Sequence, residues 1–151
     1  MKISIVMMGI LCFTGSLYST AAMAEVAGII TGDQLQKQAE SKTSKIGTED
    51  LKKMLAEELD MVLIDIRTAN EIKSMGGTIQ AGQNVTIPRG WLEFRVTRVA
   101  LDKDVPIVVY CGAGIRSPLA AETLQNMGYT NVKDYSQGFI AWKNAGLPVK
   151  Q

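Results

Sequence analysis

Residues 110–120 read YCGAGIRSPLA. The residues before them, Val105-Pro106-Ile107-Val108-Val109-Tyr110, form an apolar, β-branched run. A run of this length with such neighbours fits a strand buried on both faces. The residues after them, Ser117-Pro118, are a helix-start pair, with Ser as N-cap and Pro in the first helical position. Residues 111–116 are therefore a tight loop from the carboxyl end of a strand into the amino end of a helix. In open α/β sheets that is where ligands bind.

Outward from this loop the pattern repeats. Met61 to Ile66 is a second strand-length apolar run, and Gln83 to Ile87 and Asn131 to Tyr135 are weaker ones. Helical segments are expected over Ala69–Ser74, Trp91–Val99, Ser117–Met127 and Phe139–Asn144. Upstream, Thr48 suits an N-cap, and Leu51, Met54, Leu55 and Leu59 recur at helical spacing. Alternating strands and helices imply an α/β domain, its central sheet mainly parallel and covered by helices on both faces. The domain is expected over 46–151. Residues 25–45 are polar and read as a mobile lead-in with one or two loose helical turns around Asp33 to Glu40.

The first 24 residues stand apart. A positive start at Lys2, an apolar stretch from Ile3 to Tyr18 and Ala22-Met23-Ala24 give the order of a cleavable secretory signal peptide. The apolar stretch is too short and too interrupted for a good membrane span. The expected location is the periplasm or the exterior, without stable membrane insertion. Of 151 residues, 127 remain after residue 24, enough for one core. The chain carries 16 Lys+Arg and 15 Asp+Glu, and Lys2 is the only charged residue of the leader, so the remainder is formally neutral. Neutrality argues against nucleic acid, which selects a basic stripe, and against an anionic membrane surface.

Cys12 leaves with the leader, so Cys111 is left alone and cannot close an intramolecular disulfide. The chain has no histidine. That removes a Cys–His pair, a Ser-His-Asp triad and nearly all zinc sites. Another group must activate the thiol, unless Cys111 is a small apolar residue at a strand end. The loop supplies one. Gly112 and Gly114 let the backbone curl, so the N–H groups of Gly112, Ala113, Gly114, Ile115 and Arg116 form an anion nest at the helix start. Arg116 adds a fixed positive charge. Helix N-termini and neighbouring cations bring cysteine pKa values from ~8.5 into the range ~3.5–7.5. Cys111 is accordingly the expected nucleophile and residues 112–116 the expected substrate cradle.

Cys111-Gly-Ala-Gly-Ile-Arg116-Ser117 resembles the active-site loop of the rhodanese sulfurtransferases. The resemblance extends from about Ile46 to Val149. Leu63-Ile-Asp65-Ile-Arg67 is similar to the family's early strand, Asn84-Val-Thr-Ile-Pro88 to its central segment, and Gly138-Phe-Ile-Ala-Trp142 with Gly146-Leu-Pro-Val149 to its closing signature. The resemblance implies a three-layer domain around a sheet of about five strands. It implies sulfur transfer from a donor such as thiosulfate or polysulfide, through a Cys111 persulfide, to cyanide, a small thiol or a protein sulfur acceptor. No metal or organic cofactor is implied. A non-catalytic module that binds sulfide, polysulfide or a partner protein is the alternative. Related phosphatases carry five residues between cysteine and arginine; this chain has four, a smaller cradle that suits a cysteine-bound sulfur atom. The chain departs from the family at Gly76-Gly-Thr-Ile-Gln-Ala-Gly82, which lacks the usual histidine and proline.

Three other residues are secondary candidates. Asp65 and Arg67 end a buried strand and are expected to form a structural ion pair. Arg89 either lines the pocket mouth or lies on a solvated basic face. Trp91, Phe94 and Trp142 are expected in the core or the pocket wall. N-terminal sequencing of the exported protein is expected to return Glu25; recovery of Met1 would overturn the leader assignment.

Overall fold

The computed structural model describes residues 28–151, so the expected leader lies outside the described residues. The elements are α1 (Gly32–Lys42), β1 (Ser44–Lys45), α2 (Thr48–Glu57), β2 (Val62–Asp65), α3 (Ala69–Met75), β3 (Thr78–Ile79), β4 (Asn84–Thr86), α4 (Leu92–Arg95), β5 (Ile107–Tyr110), α5 (Ser117–Asn126), β6 (Val132–Asp134), α6 (Gly138–Asn144) and β7 (Val149–Lys150). Short 3-10 turns at Arg89–Trp91 and Val96–Arg98 flank α4. The five main strands form one parallel sheet in the order β1-β6-β5-β2-β4. A separate antiparallel ribbon pairs β3 with β7. This is the expected α/β architecture.

Strand alternation sorts the core into two layers. Val62 and Ile64 of β2 and Ile107 and Val109 of β5 face Leu92, Val96, Ala120, Ala121 and Leu124 of the α4 and α5 side. Leu63, Val108 and Tyr110 face Leu51, Phe139 and Trp142 of α2 and α6. β2 and β5, the strongest apolar runs, lie side by side at the centre, with Leu63 opposite Val108 and Ile64 opposite Val109. The chain leaves β2 toward β4 and leaves β5 toward β6, in opposite directions. The loops after β2 and β5 therefore splay apart, and the crevice between them is the position where such sheets place a ligand.

The structure corrects several expectations. Residues 31–45 are not a mobile lead-in. Thr31 and Gln34 form a reciprocal capping box, α1 packs on α5 with Ala39 fully buried, and β1 adds a parallel edge strand to β6. A helix this polar is held by one small contact residue, so composition alone does not reveal it. Gly47, not Thr48, is the N-cap of α2; the Thr48 N–H and hydroxyl both donate to Gln137 Oε1 at 2.8 Å. Leu59 lies beyond the end of α2 and is exposed. Trp91 and Phe94 are 52% and 71% exposed rather than core, because Leu92 and Val96 take the inward face of that turn. They stack edge to face at 6.2 Å, with the Arg95 guanidinium 4.6 Å over Trp91. Trp142 is buried as expected.

Ala39→Leu is expected to overfill the α1–α5 contact and to lower stability by about 1–3 kcal/mol, read by thermal melting. An unchanged melting temperature would show that α1 is not docked.

Candidate active site

The thiol site is assembled from the ends of four elements. Cys111 directly follows β5 and is only 1% exposed; it is a free thiol. The loop then turns at Gly114, whose φ is 78°. A Cβ there would lie 1.7 Å from the Ser136 carbonyl oxygen, so only glycine fits. Gly138 at the start of α6 is equally constrained: a Cβ would lie 2.6 Å from the Gly112 carbonyl oxygen. This close approach lets α6 grip the loop. The Phe139 N–H donates to Cys111 O at 2.9 Å and the Ile140 N–H to Gly112 O at 3.0 Å. With the carbonyls tied back in this way, no described residue accepts from the N–H groups of Gly112, Ala113, Gly114, Ile115 or Arg116. Among the described residues these five N–H groups are uncommitted donors.

Ser117 is not the N-cap of α5. Arg116 holds that position, and Ser117 and Pro118 are the first helical residues. The Ser117 side chain turns inward instead, fully buried, with its hydroxyl 3.9 Å from Cys111 Sγ. On the outer side, Ala113 and Ile115 are exposed, and Met75 of α3 covers the loop, its Cε 3.0 Å from the Cβ position of Gly112.

Arg116 reaches across the crevice to Glu71 on α3 and donates through both terminal nitrogens. Glu71 also closes the capping box of α3 with Thr68. Hydrogen bonding from Arg116, helped by the Thr68 N–H, holds the Glu71 carboxyl down at about 2. The same pair raises the Arg116 guanidinium, with a smaller contribution from Cys111. The fixed cation is thus beside the thiol, as expected, but shares its charge with a carboxylate that sequence reading missed.

Asp65 and Arg67 form the expected structural ion pair. Arg67 Nη2 meets Asp65 Oδ2 at 2.5 Å and Gly77 O at 3.0 Å, with both side chains fully buried. The guanidinium lies 4.0 Å over the Phe139 ring. Asp65 also accepts from the Thr78 hydroxyl at 2.9 Å. Arg89 does not join the thiol; it donates to Glu93 at 2.7 Å and to Thr123 of α5 at 2.9 Å. The divergent Gly76–Gly82 segment forms β3, which pairs with β7 and offers Thr78 to Asp65 and to the Tyr110 hydroxyl. Beside the loop, Ser74, Met75, Phe139, Ile140, Lys143 and Asn144 line a cleft of about 310 Å³.

A family model described as "Rhodanese-like domain" matches residues 47–145. The chain belongs to the rhodanese-like family. It is 37% identical over 106 residues to a sulfurtransferase of Allochromatium vinosum, covering 70% of this chain and 94% of that one. Among solved structures, a polysulfide-sulfur transferase homodimer of Wolinella succinogenes superposes with a TM-score of 0.69 at 32% identity, covering 78% of this chain and 84% of that one. A Rhodopseudomonas palustris protein of unknown function, described as a possible tyrosine phosphatase, gives a TM-score of 0.69 at 30% identity, covering 80% and 95%. Rhodanese-like membership and sulfurtransferase relatives thus agree with the loop.

One charged group near the site carries no sequence signal. Asp134, at the end of β6, is fully buried, and neither carboxylate oxygen has a hydrogen-bond partner among the described residues. Burial pushes its carboxyl up to about 6 from an ordinary 3.8; the Ser117 hydroxyl opposes the shift without reaching hydrogen-bond geometry. Because the folded value is raised, the native state holds this proton more tightly than the unfolded chain. The cost of burying the charge appears as pH rises from about 4 through about 6 and is complete above that. Asp134→Asn is expected to stabilise the protein at pH 8 by on the order of 2 kcal/mol, the gain vanishing near pH 4. Melting curves that differ equally at both pH values would refute this origin.

Proposed function

We propose that this protein is an exported sulfurtransferase that carries sulfane sulfur on Cys111. The observation that carries the reading is the loop itself: a buried free thiol beside five backbone N–H groups that no described residue uses. The Cys111 thiolate attacks the outer sulfur of thiosulfate, the S–S bond of the donor breaks, and sulfite departs with the bonding pair. A Cys111 persulfide remains, its terminal sulfur held by the N–H groups of residues 112–116, which stabilise developing negative charge. An acceptor, cyanide or a thiol, then attacks the terminal sulfur and releases the thiolate. Polysulfide can serve as donor in the same way, by loss of a shortened polysulfide.

Two features support sulfur as the cargo. The four-residue span between Cys111 and Arg116 makes a small cradle, and Arg116 is already engaged by Glu71, where a phosphate-binding arginine would need its fork free. An acceptor is proposed to dock in the cleft beside the loop, lined by Met75, Ile140 and Lys143. The phosphatase description of the Rhodopseudomonas relative supports a second reading, phosphate-ester hydrolysis by the same thiol, which the same sample tests with p-nitrophenyl phosphate.

Reduced protein incubated with thiosulfate or polysulfide is expected to gain one sulfur atom on Cys111, reversed by a thiol wash, and to form thiocyanate from thiosulfate and cyanide. Cys111→Ser is expected to lose the adduct and to cut turnover by at least about a thousandfold, because a hydroxyl neither ionises at neutral pH nor stores transferable sulfur. Absence of any adduct from both donors would remove the enzyme reading and leave a sulfide-binding or partner-binding module.

A further inference from the structure

A thiol nucleophile in a chain without histidine leaves open where its proton is held. Strand alternation places Asp134 on the same sheet face as Val132, Val109 and Cys111, under α5. There its carboxylate is fully buried and, among the described residues, unpartnered. The Ser117 hydroxyl, also fully buried, lies on this face and is 3.9 Å from Cys111 Sγ.

The charged groups around Asp134 do not neutralise it. Lys45 on β1 acts on it favourably but is bonded to Glu40 of α1 at 3.0 Å, and Glu40 acts against it. Lys42 of α1 is paired with Glu122 of α5, and Arg116 at the start of α5 with Glu71. Among the described residues no salt bridge reaches the carboxylate, and the Ser117 hydroxyl acts on it from outside hydrogen-bond geometry.

We propose that Asp134 is a positioning residue that sets the proton state of Cys111 through the Ser117 hydroxyl, in the place that imidazole takes in other thiol enzymes. The proposal rests on the sulfur-transfer reading of Cys111. Hydrogens and charge balance in the exchange: as the thiol proton passes to Ser117 Oγ, the Ser117 hydrogen passes to the carboxylate, leaving a thiolate and a neutral acid. With Asp134 protonated, its O–H donates to Ser117 Oγ, and the Ser117 hydrogen is free to point at the thiolate. With Asp134 ionised, the carboxylate claims that hydrogen, and the sulfur loses its donor and faces a second negative charge. Ser117 has a single hydrogen to give, so it serves either the carboxylate or the sulfur, not both at once.

The test is the rate of Cys111 alkylation by iodoacetamide from pH 4 to 9, with no sulfur donor present. Glu71, held at about 2, and Arg116, raised, do not change charge in this window. The wild-type profile is expected to need two ionisations, one of them near pH 6, where Asp134 titrates. Asp134→Asn and Ser117→Ala are each expected to leave a single ionisation, the first by removing the second acid and the second by cutting the link to it. A one-step wild-type profile overturns the proposal without any variant. A second step that persists in Asp134→Asn overturns the assignment to Asp134; one that persists in Ser117→Ala overturns the route through the hydroxyl. The assay reads the thiol alone, so failure of persulfide formation with thiosulfate would sink the sulfur-transfer reading and leave this profile as it was measured.

Discussion

The buried guanidinium of Arg67 is the constraint on which the rest of the site depends. It sits against the Asp65 carboxylate, the Gly77 carbonyl, the Phe139 ring and, at 5.7 Å, the Tyr110 ring. Those contacts join the end of β2, the turn after α3, the end of β5 and the first turn of α6. A buried pair of this kind adds little net stability against an apolar replacement, but losing one member strands a buried charge at a cost of about 3–5 kcal/mol. The arrangement therefore favours one relative position of the four chain ends over any other. Phe139, against which the guanidinium stacks, is also the residue whose N–H holds Cys111 O. The ion pair at the end of β2 thus fixes the thiol loop without touching the thiol.

The parts of the fold written in apolar runs were legible in the sequence. Val105–Tyr110 and Met61–Ile66 contain the two central strands because only residues buried on both faces make such runs. The loop was legible because glycine, arginine and a Ser-Pro pair each have few reasons to stand together. The edge of the sheet was not. β1 has only two exposed residues, and α1 buries Ala39 alone among its eleven, so neither leaves a periodic signal. Trp91 and Phe94 misled for the opposite reason: bulky aromatic residues suggest burial, but the smaller Leu92 and Val96 fill the core at that turn.

Within the site, Cys111 and the cradle followed from local spacing, and Asp65 and Arg67 from their strand end. Glu71, Ser117 and Asp134 did not, although Ser117-Pro118 reads as a helix start. Glu71 lies 45 residues from its partner Arg116, so their pairing is a product of the sheet order alone. Asp134 looks like any polar residue ending a short strand. Its significance comes from its complete burial, which no local pattern signals, and α1 itself, which packs on α5, was legible only as one or two loose turns.

The two carboxylates that escaped the sequence lie on different sides of the thiol and act differently. Glu71 is at the crevice, locked to Arg116, and stays ionised at every pH at which the protein would work. Asp134 lies behind the thiol, against the sheet, and is the group whose charge can change. In the proposed cycle the negative charge of the nucleophile also moves. As a thiolate it resides on Cys111 Sγ, next to Ser117; as a persulfide it resides one S–S bond, about 2 Å, farther out. The outer position is served by the N–H groups of residues 112–116 and by Arg116, and the inner one by the Ser117 hydroxyl. Loading sulfur therefore shifts negative charge away from Asp134 and lowers the cost of ionising it, and unloading shifts the charge back and favours its proton. The acid behind the thiol and the cradle in front of it then answer to opposite halves of one reaction, which gives a histidine-free site a means of stabilising both the empty and the loaded cysteine.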